Sequence, residues 1–119
     1  MQSYKDLEIY KISHKLAVEV HKMSLGLPGF EMYEEGSQIR RSSKAIPSNI
    51  VEGFGRKKYQ QDYLRFLIIS HASCNETIEH LELLHETGSF KDKEKFDYFW
   101  KEYDHSGRKL NKFIQAFES

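Results

Sequence analysis

One proline does most to limit what this chain can become. Ile39, Ser43, Ile46, Ile50 and Phe54 repeat at spacings of four, three, four and four, a helical beat. Pro47 sits inside that beat. A proline there removes one intrahelical donor and crowds the carbonyl of Ser43, costing about 3 kcal/mol relative to alanine. Two arrangements compete: one long helix kinked at Pro47, or two short helices broken there. The apolar beat resumes in register after the proline, which favours the kinked helix, provided that packing around it compensates. Ser42, Ala45 and Gly53 complete the inward face with small residues that let a neighbouring backbone approach.

The rest of the chain supplies three more helical segments. The first is predicted from about Lys5 to Leu25, with Leu7, Tyr10, Leu16, Ala17, Val20, Met23 and Ser24 on one stripe. It stops at Gly26, Leu27, Pro28 and Gly29, a dense cluster of breakers. The proline-bearing helix then begins near Glu31, where Glu31, Glu34 and Glu35 suit the positive end of a helix dipole. The third runs from about Gln60 to Thr87, its stripe large at both ends and small in the middle (Ser70, Ser73, Cys74, Thr77), with Gly88 as the C-cap signal. The fourth spans about Asp92 to Phe117 on Phe96, Phe99, Trp100, Tyr103, Gly107, Leu110, Ile114 and Phe117.

Four helices joined by short loops predict an all-α fold, an antiparallel up-down-up-down four-helix bundle with a proline-kinked second helix. A length of 119 residues fits a single bundle domain, 1–119. Tyr98 and Phe113 lie partly off the fourth stripe, and spare aromatics on a small bundle suit self-association.

Charge excludes some functions. Eighteen basic residues balance eighteen acidic ones, so the chain lacks the basic excess of proteins held to nucleic acid mainly by phosphate neutralisation. The single cysteine, Cys74, has no intrachain disulfide partner, which fits a reducing compartment. No apolar run is long enough for a membrane span, and the N-terminus lacks a signal-peptide core. A soluble cytoplasmic protein, not bound to membrane, is the expectation.

Catalytic and metal signals are weak. Glu82 with His85, and Glu102 with His105, have the Glu-x-x-His spacing of bundle metal sites, yet the first two helices offer no matching inward glutamates. No serine, threonine or cysteine has local spacing indicating a nucleophile, and no phosphate-cradling glycine motif is present. No catalytic residue, metal or cofactor is expected.

Polar residues on the second helix are more distinctive. Gln38, Arg41, Ala45, Asn49 and Glu52 sit three or four apart and form a ladder beside the apolar stripe. Arg41 and Glu52 stand three turns apart, so each needs a partner elsewhere, with Glu76 or Asn75 as candidates. The expected result is a polar network of Gln38, Arg41, Asn49, Glu52 and Glu76 between helices or subunits. Arg40, Arg41, Lys44, Arg56, Lys57 and Lys58 also concentrate positive charge near Tyr59 and Tyr63. Of these Arg40, Lys44, Arg56, Lys57 and Lys58 are candidate RNA contacts, with the aromatics available for base stacking.

Several of these segments resemble one family. They are Tyr4 to Tyr10 (YKDLEIY), Leu27-Pro28, Glu31, Tyr33, Ser37 to Arg41, and above all Ser43 to Arg56, where IPSNI leads into EGFGR. Phe66-Leu67, Ala72-Ser73 and Glu76 continue the match. The chain is similar to small four-helix proteins related to those encoded by intervening sequences in bacterial 23S ribosomal RNA genes, also labelled S23 ribosomal protein-like. Val51 and Ala72 stand where the family commonly has alanine and glycine, and Lys44 stands where it is often apolar or small. The resemblance implies a four-helix bundle and a ring-shaped homopentamer, with no established activity. The gene location of some members of that family suggests an association with ribosomal RNA or the ribosome. The leading expectation is a non-enzymatic, self-associating bundle, a scaffold or adaptor. An oligomeric RNA- or ribosome-associated protein is the alternative, and an enzyme is a distant third.

Overall fold

The computed structural model describes residues 2–118. Four α-helices follow one another: α1 (Glu8–Ser24), α2 (Glu35–Gly55), α3 (Gln60–Glu86) and α4 (Lys93–Glu118). Short 3-10 turns precede α1 (Tyr4–Asp6) and α2 (Gly29–Met32). No strand occurs among the described residues.

Contacts between neighbouring helices set the direction of each. Along α2 and α3, Glu35 meets His80, Ser42 meets Thr77, the Ile46 carbonyl meets Ser70, and Arg56 approaches Asp62. The numbers rise on one helix as they fall on the other, so the pair is antiparallel. Arg40 reaches Ser24 and Lys44 reaches His21, reversing α2 against α1. Trp100 bonds Glu82 while Gln60 bonds the Phe117 carbonyl, reversing α4 against α3. Lys109 pairs with Glu8 and Tyr98 with Glu19, closing α4 onto α1. The result is the up-down-up-down bundle that the four stripes predict.

The second helix is continuous through Pro47. Pro47 is buried, and Ser70 of α3 donates to the carbonyl of Ile46, immediately before it, at 2.8 Å. The two helices are thus joined at the level where α2 lacks its own donor. Nearly two turns further on, a Cβ at Gly53 would lie 3.0 Å from the Cβ of Phe66 and 3.1 Å from the Tyr63 ring. The small residue there permits the close approach. Cys74 is buried opposite, its thiol donating to the Tyr103 carbonyl at 3.4 Å. Burial pushes that thiol up to about 12, with Asp104 adding to the shift.

Two boundaries and one orientation differ from expectation. The helix predicted to begin near Glu31 begins at Glu35. Glu31 is instead a buried carboxylate, 4% exposed, in the preceding 3-10 turn. The first helix starts at Glu8 rather than Lys5, because Ser3 and Asp6 close a separate turn through the Ser3 N–H to Asp6 Oδ2 bond at 2.9 Å. Trp100, placed by its spacing on the inner stripe of α4, lies at the surface and donates its indole N–H to Glu82 at 2.9 Å. A buried indole would need an internal acceptor, and this one finds its acceptor on the rim. Ser13 and Ser106 take inward positions instead.

Candidate functional site

The ladder of α2 does not close into one network within the molecule. Asn49, half-buried, donates Nδ2 to the Ala45 carbonyl of its own helix at 2.8 Å. Glu52 accepts from Arg56 one turn on, at 3.3 Å. Glu76 pairs with His80, also one turn on, at 3.0 Å. Arg41 and Gln38 are exposed, and no hydrogen bond or ion pair joins the Arg41 side chain to the other described residues. Each of these residues finds its partner locally or not at all.

A different polar centre forms nearby. His80, 14% exposed in its side chain, lies with Nδ1 2.6 Å from Glu35 Oε2 and Nε2 3.0 Å from Glu76 Oε2. One imidazole therefore bridges the start of α2 to the middle of α3. The four-residue step from Glu76 to His80 is visible in the sequence; the Glu35 contact depends on how the two helices are rotated against each other. Among the described residues, no group of three or more His, Cys, Asp or Glu is arranged to hold a metal.

The candidate RNA contacts divide between two roles. Arg40 is half-buried and structural: Nη1 donates to Ser24 Oγ at 3.2 Å and Nη2 to the Met32 carbonyl at 2.6 Å. Arg56 pairs with Glu52, approaches Asp62 at 3.8 Å, and stands 5.0 Å over the Phe66 ring. Its charge is spent largely on the α2–α3 junction. Lys57 and Lys58 remain exposed beside Tyr59, although Lys57 also lies 3.9 Å over the Phe54 ring. Lys44 turns the other way, toward α1, with Nζ 3.0 Å from His21 Nδ1.

Lys44 thereby becomes one wall of a groove between α1 and α2, of about 370 Å³. Its floor is Ala17, Val18 and Pro47, so the proline that defines α2 also shapes this surface. Its rim carries His14, His21, Lys22 and Lys44, and no acidic side chain lines it. Such a surface suits an apolar body with negative charge at its edges. The sequence signals for it, Lys44 and Pro47 three residues apart, lie in the most distinctive segment of the chain, but their joining to α1 is a property of the fold.

Spare aromatics split as well. Tyr98 is 39% exposed and donates to Glu19 at 2.7 Å. Phe113 is half-buried and packs edge-on against Tyr63, centroids 6.3 Å apart. No helix among the described residues is long and apolar enough to cross a membrane.

The sequence profile of the 23S rRNA-intervening sequence proteins matches residues 5–112. Among solved structures, a crystal structure of a protein with unknown function from the S23 ribosomal protein family of Bacteroides thetaiotaomicron superposes with a TM-score of 0.81. Its sequence is 24% identical, and the alignment covers 90% of this chain and 95% of that one. At that identity the likeness speaks for the fold. No curated protein matches the chain.

Proposed function

The chain belongs to the 23S rRNA-intervening sequence protein family, and we propose that it is a self-associating helical bundle, a scaffold or adaptor with no catalytic chemistry of its own. One observation carries this reading. The core is complete, yet large apolar side chains remain on the bodies of the helices: Val18 at 42%, Ile68 at 50%, Ile69 at 41% and Leu83 at 37% exposure. Apolar residues on rigid helical faces, interleaved with charge, suit contact with another protein surface. A second copy is always present at the protein's own concentration, and a closed ring, five copies in the form the family resemblance implies, would cover these faces. The cytoplasm suits such an assembly, since its lone thiol is buried and asks for no oxidising partner.

Light-scattering mass measured across a hundredfold range of concentration tests this reading. A mass several times that of the chain, falling on dilution, is expected; a monomer throughout overturns it. The RNA reading keeps one supporting observation, the exposed Lys57, Lys58 and Tyr59 at the α2–α3 connection. Reversing both lysines should weaken binding to ribosomal RNA fragments and flatten its salt dependence. A parent protein that binds none of the fragments at low salt removes that reading for them.

A further inference from the structure

The net charge of zero conceals two faces of opposite sign. Between Arg65 and Lys91 the sequence contains no lysine or arginine, while Glu76, Glu79, Glu82 and Glu86 fall within that stretch. All four lie on α3. Glu76, Glu79, Leu83 and Glu86, at steps of three, four and three, share one outward face of the helix. Each of the four is exposed, Leu83 at 37%. Glu76 is already engaged by His80, which leaves Glu79 and Glu86 flanking the leucine. The last turns of α3 also carry the negative end of its dipole, which deepens the negative potential there.

The groove between α1 and α2 has the complementary character. An apolar floor that includes the 42%-exposed Val18 is bordered by Lys22 and Lys44 on opposite walls at one end, where His21 meets Lys44, with His14 about two turns along α1 at the other. Glu79 to Glu86 spans about 10 Å along a helix, short enough to lie within the about 12 Å of the α1 wall from His14 to Lys22, at about 1.5 Å per residue.

We propose that the groove is filled by the α3 ridge of a second copy of this chain, Leu83 over the apolar floor and the ridge glutamates against the groove lysines. This rests on the self-association reading above and names its contact. Charge fixes the register and rejects the like-charged alternatives, while the apolar contact at the centre supplies the affinity. Groove and ridge share no residue, so a contact made once between two copies is heterologous. Two copies joined once still present one free groove and one free ridge, and addition continues until a ring closes.

Charge exchange tests the pairing. Lys22→Glu with Lys44→Glu reverses the groove, and Glu79→Lys with Glu86→Lys reverses the ridge. All four positions are exposed, and far-UV circular dichroism with a thermal melt verifies that each variant is folded. Light-scattering mass should fall toward the single chain in each double variant, with association weakened at least tenfold. It should return in the variant carrying all four changes. A parent that is monomeric at every concentration overturns self-association and this contact together. A parent that assembles, with double variants that assemble equally well, overturns the groove–ridge contact alone. Loss of mass in both double variants without recovery in the fourfold variant also overturns it.

Discussion

Glu31 and Ser89 tie together the two loops at one end of the bundle. The Ser89 hydroxyl donates to Glu31 Oε2 at 2.6 Å, while Glu31 Oε1 takes the backbone N–H of Gly36 at 3.1 Å. The carboxylate is 4% exposed. It holds the first turn of α2 against the α3–α4 connection, and a Cβ at Gly36 would collide with the Glu31 carbonyl oxygen. The whole corner is thus built around one acid and one glycine.

Removing the acid should be expensive. Glu31→Ala strands the Gly36 N–H and the Ser89 hydroxyl, and should cost about 1.5–3 kcal/mol, the range for hydrogen bonds to a charged group. Ser89→Ala removes one bond and should cost about 1 kcal/mol. Denaturant midpoints at unchanged slope measure both. A loss below about 0.5 kcal/mol for Glu31→Ala would mean that the corner is held by its apolar contacts instead.

Tyr103 presents the opposite case. Its side chain is fully buried, and its hydroxyl has no hydrogen-bond partner among the described residues. Burial raises its phenol well above the ordinary value. A buried hydroxyl without a partner carries an uncompensated desolvation cost of about 1–3 kcal/mol. Tyr103→Phe keeps the ring and removes that cost, so the variant should unfold at the same or a higher denaturant concentration than the parent. A loss of more than about 1 kcal/mol would show that the hydroxyl is satisfied in solution.

These two residues also show where sequence reasoning reaches and where it stops. Tyr103 falls on the helical beat of α4, and the beat alone places it inside. The same beat carries Ile39, Ile46 and Ile50 into the core on both sides of Pro47. Glu31 misleads because three nearby glutamates look like a solvated helix start, whereas one of them is folded inward by its turn. Ser13 and Ser106 lie inside although neither predicted stripe contains them; Ser13 satisfies itself on the Ile9 carbonyl one turn back, at 2.8 Å. Side-chain partners across helices, such as Glu35 with His80, depend on the rotation of each helix about its axis, which spacing along one helix does not determine.

That difference matters for the α2 ladder. Glu52 is 54% exposed and its only ion pair among the described residues is with Arg56 one turn on. Such pairs contribute about 0.3–0.5 kcal/mol. Asn49 bonds within its own helix. Glu52→Ala and Asn49→Leu should therefore move the unfolding midpoint of the diluted chain by no more than about 0.5 kcal/mol each. Solution mass at high concentration is the second reading for the same variants. A lower mass with an unmoved midpoint would put the ladder in contact between copies, while a large drop in the midpoint would mean that it supports the bundle itself.

At alkaline pH, comparison with Tyr98→Phe singles out one contact between α1 and α4. Tyr98 donates to Glu19 Oε1 at 2.7 Å, and this bond, more than burial, pushes its phenol from the ordinary 10.0 up to about 12. A raised acid binds its proton more tightly in the folded chain than in the unfolded one, so the folded state holds more protons between those two values. The stabilisation is complete below about 10 and is lost as pH rises through about 12. Tyr98→Phe has no such proton to lose. Its stability should fall less steeply than the parent's across that window, and its near-ultraviolet tyrosinate titration should lack one late component. Parallel stability curves for the two proteins from pH 10 to 12 would mean that the Tyr98–Glu19 bond is not maintained in solution.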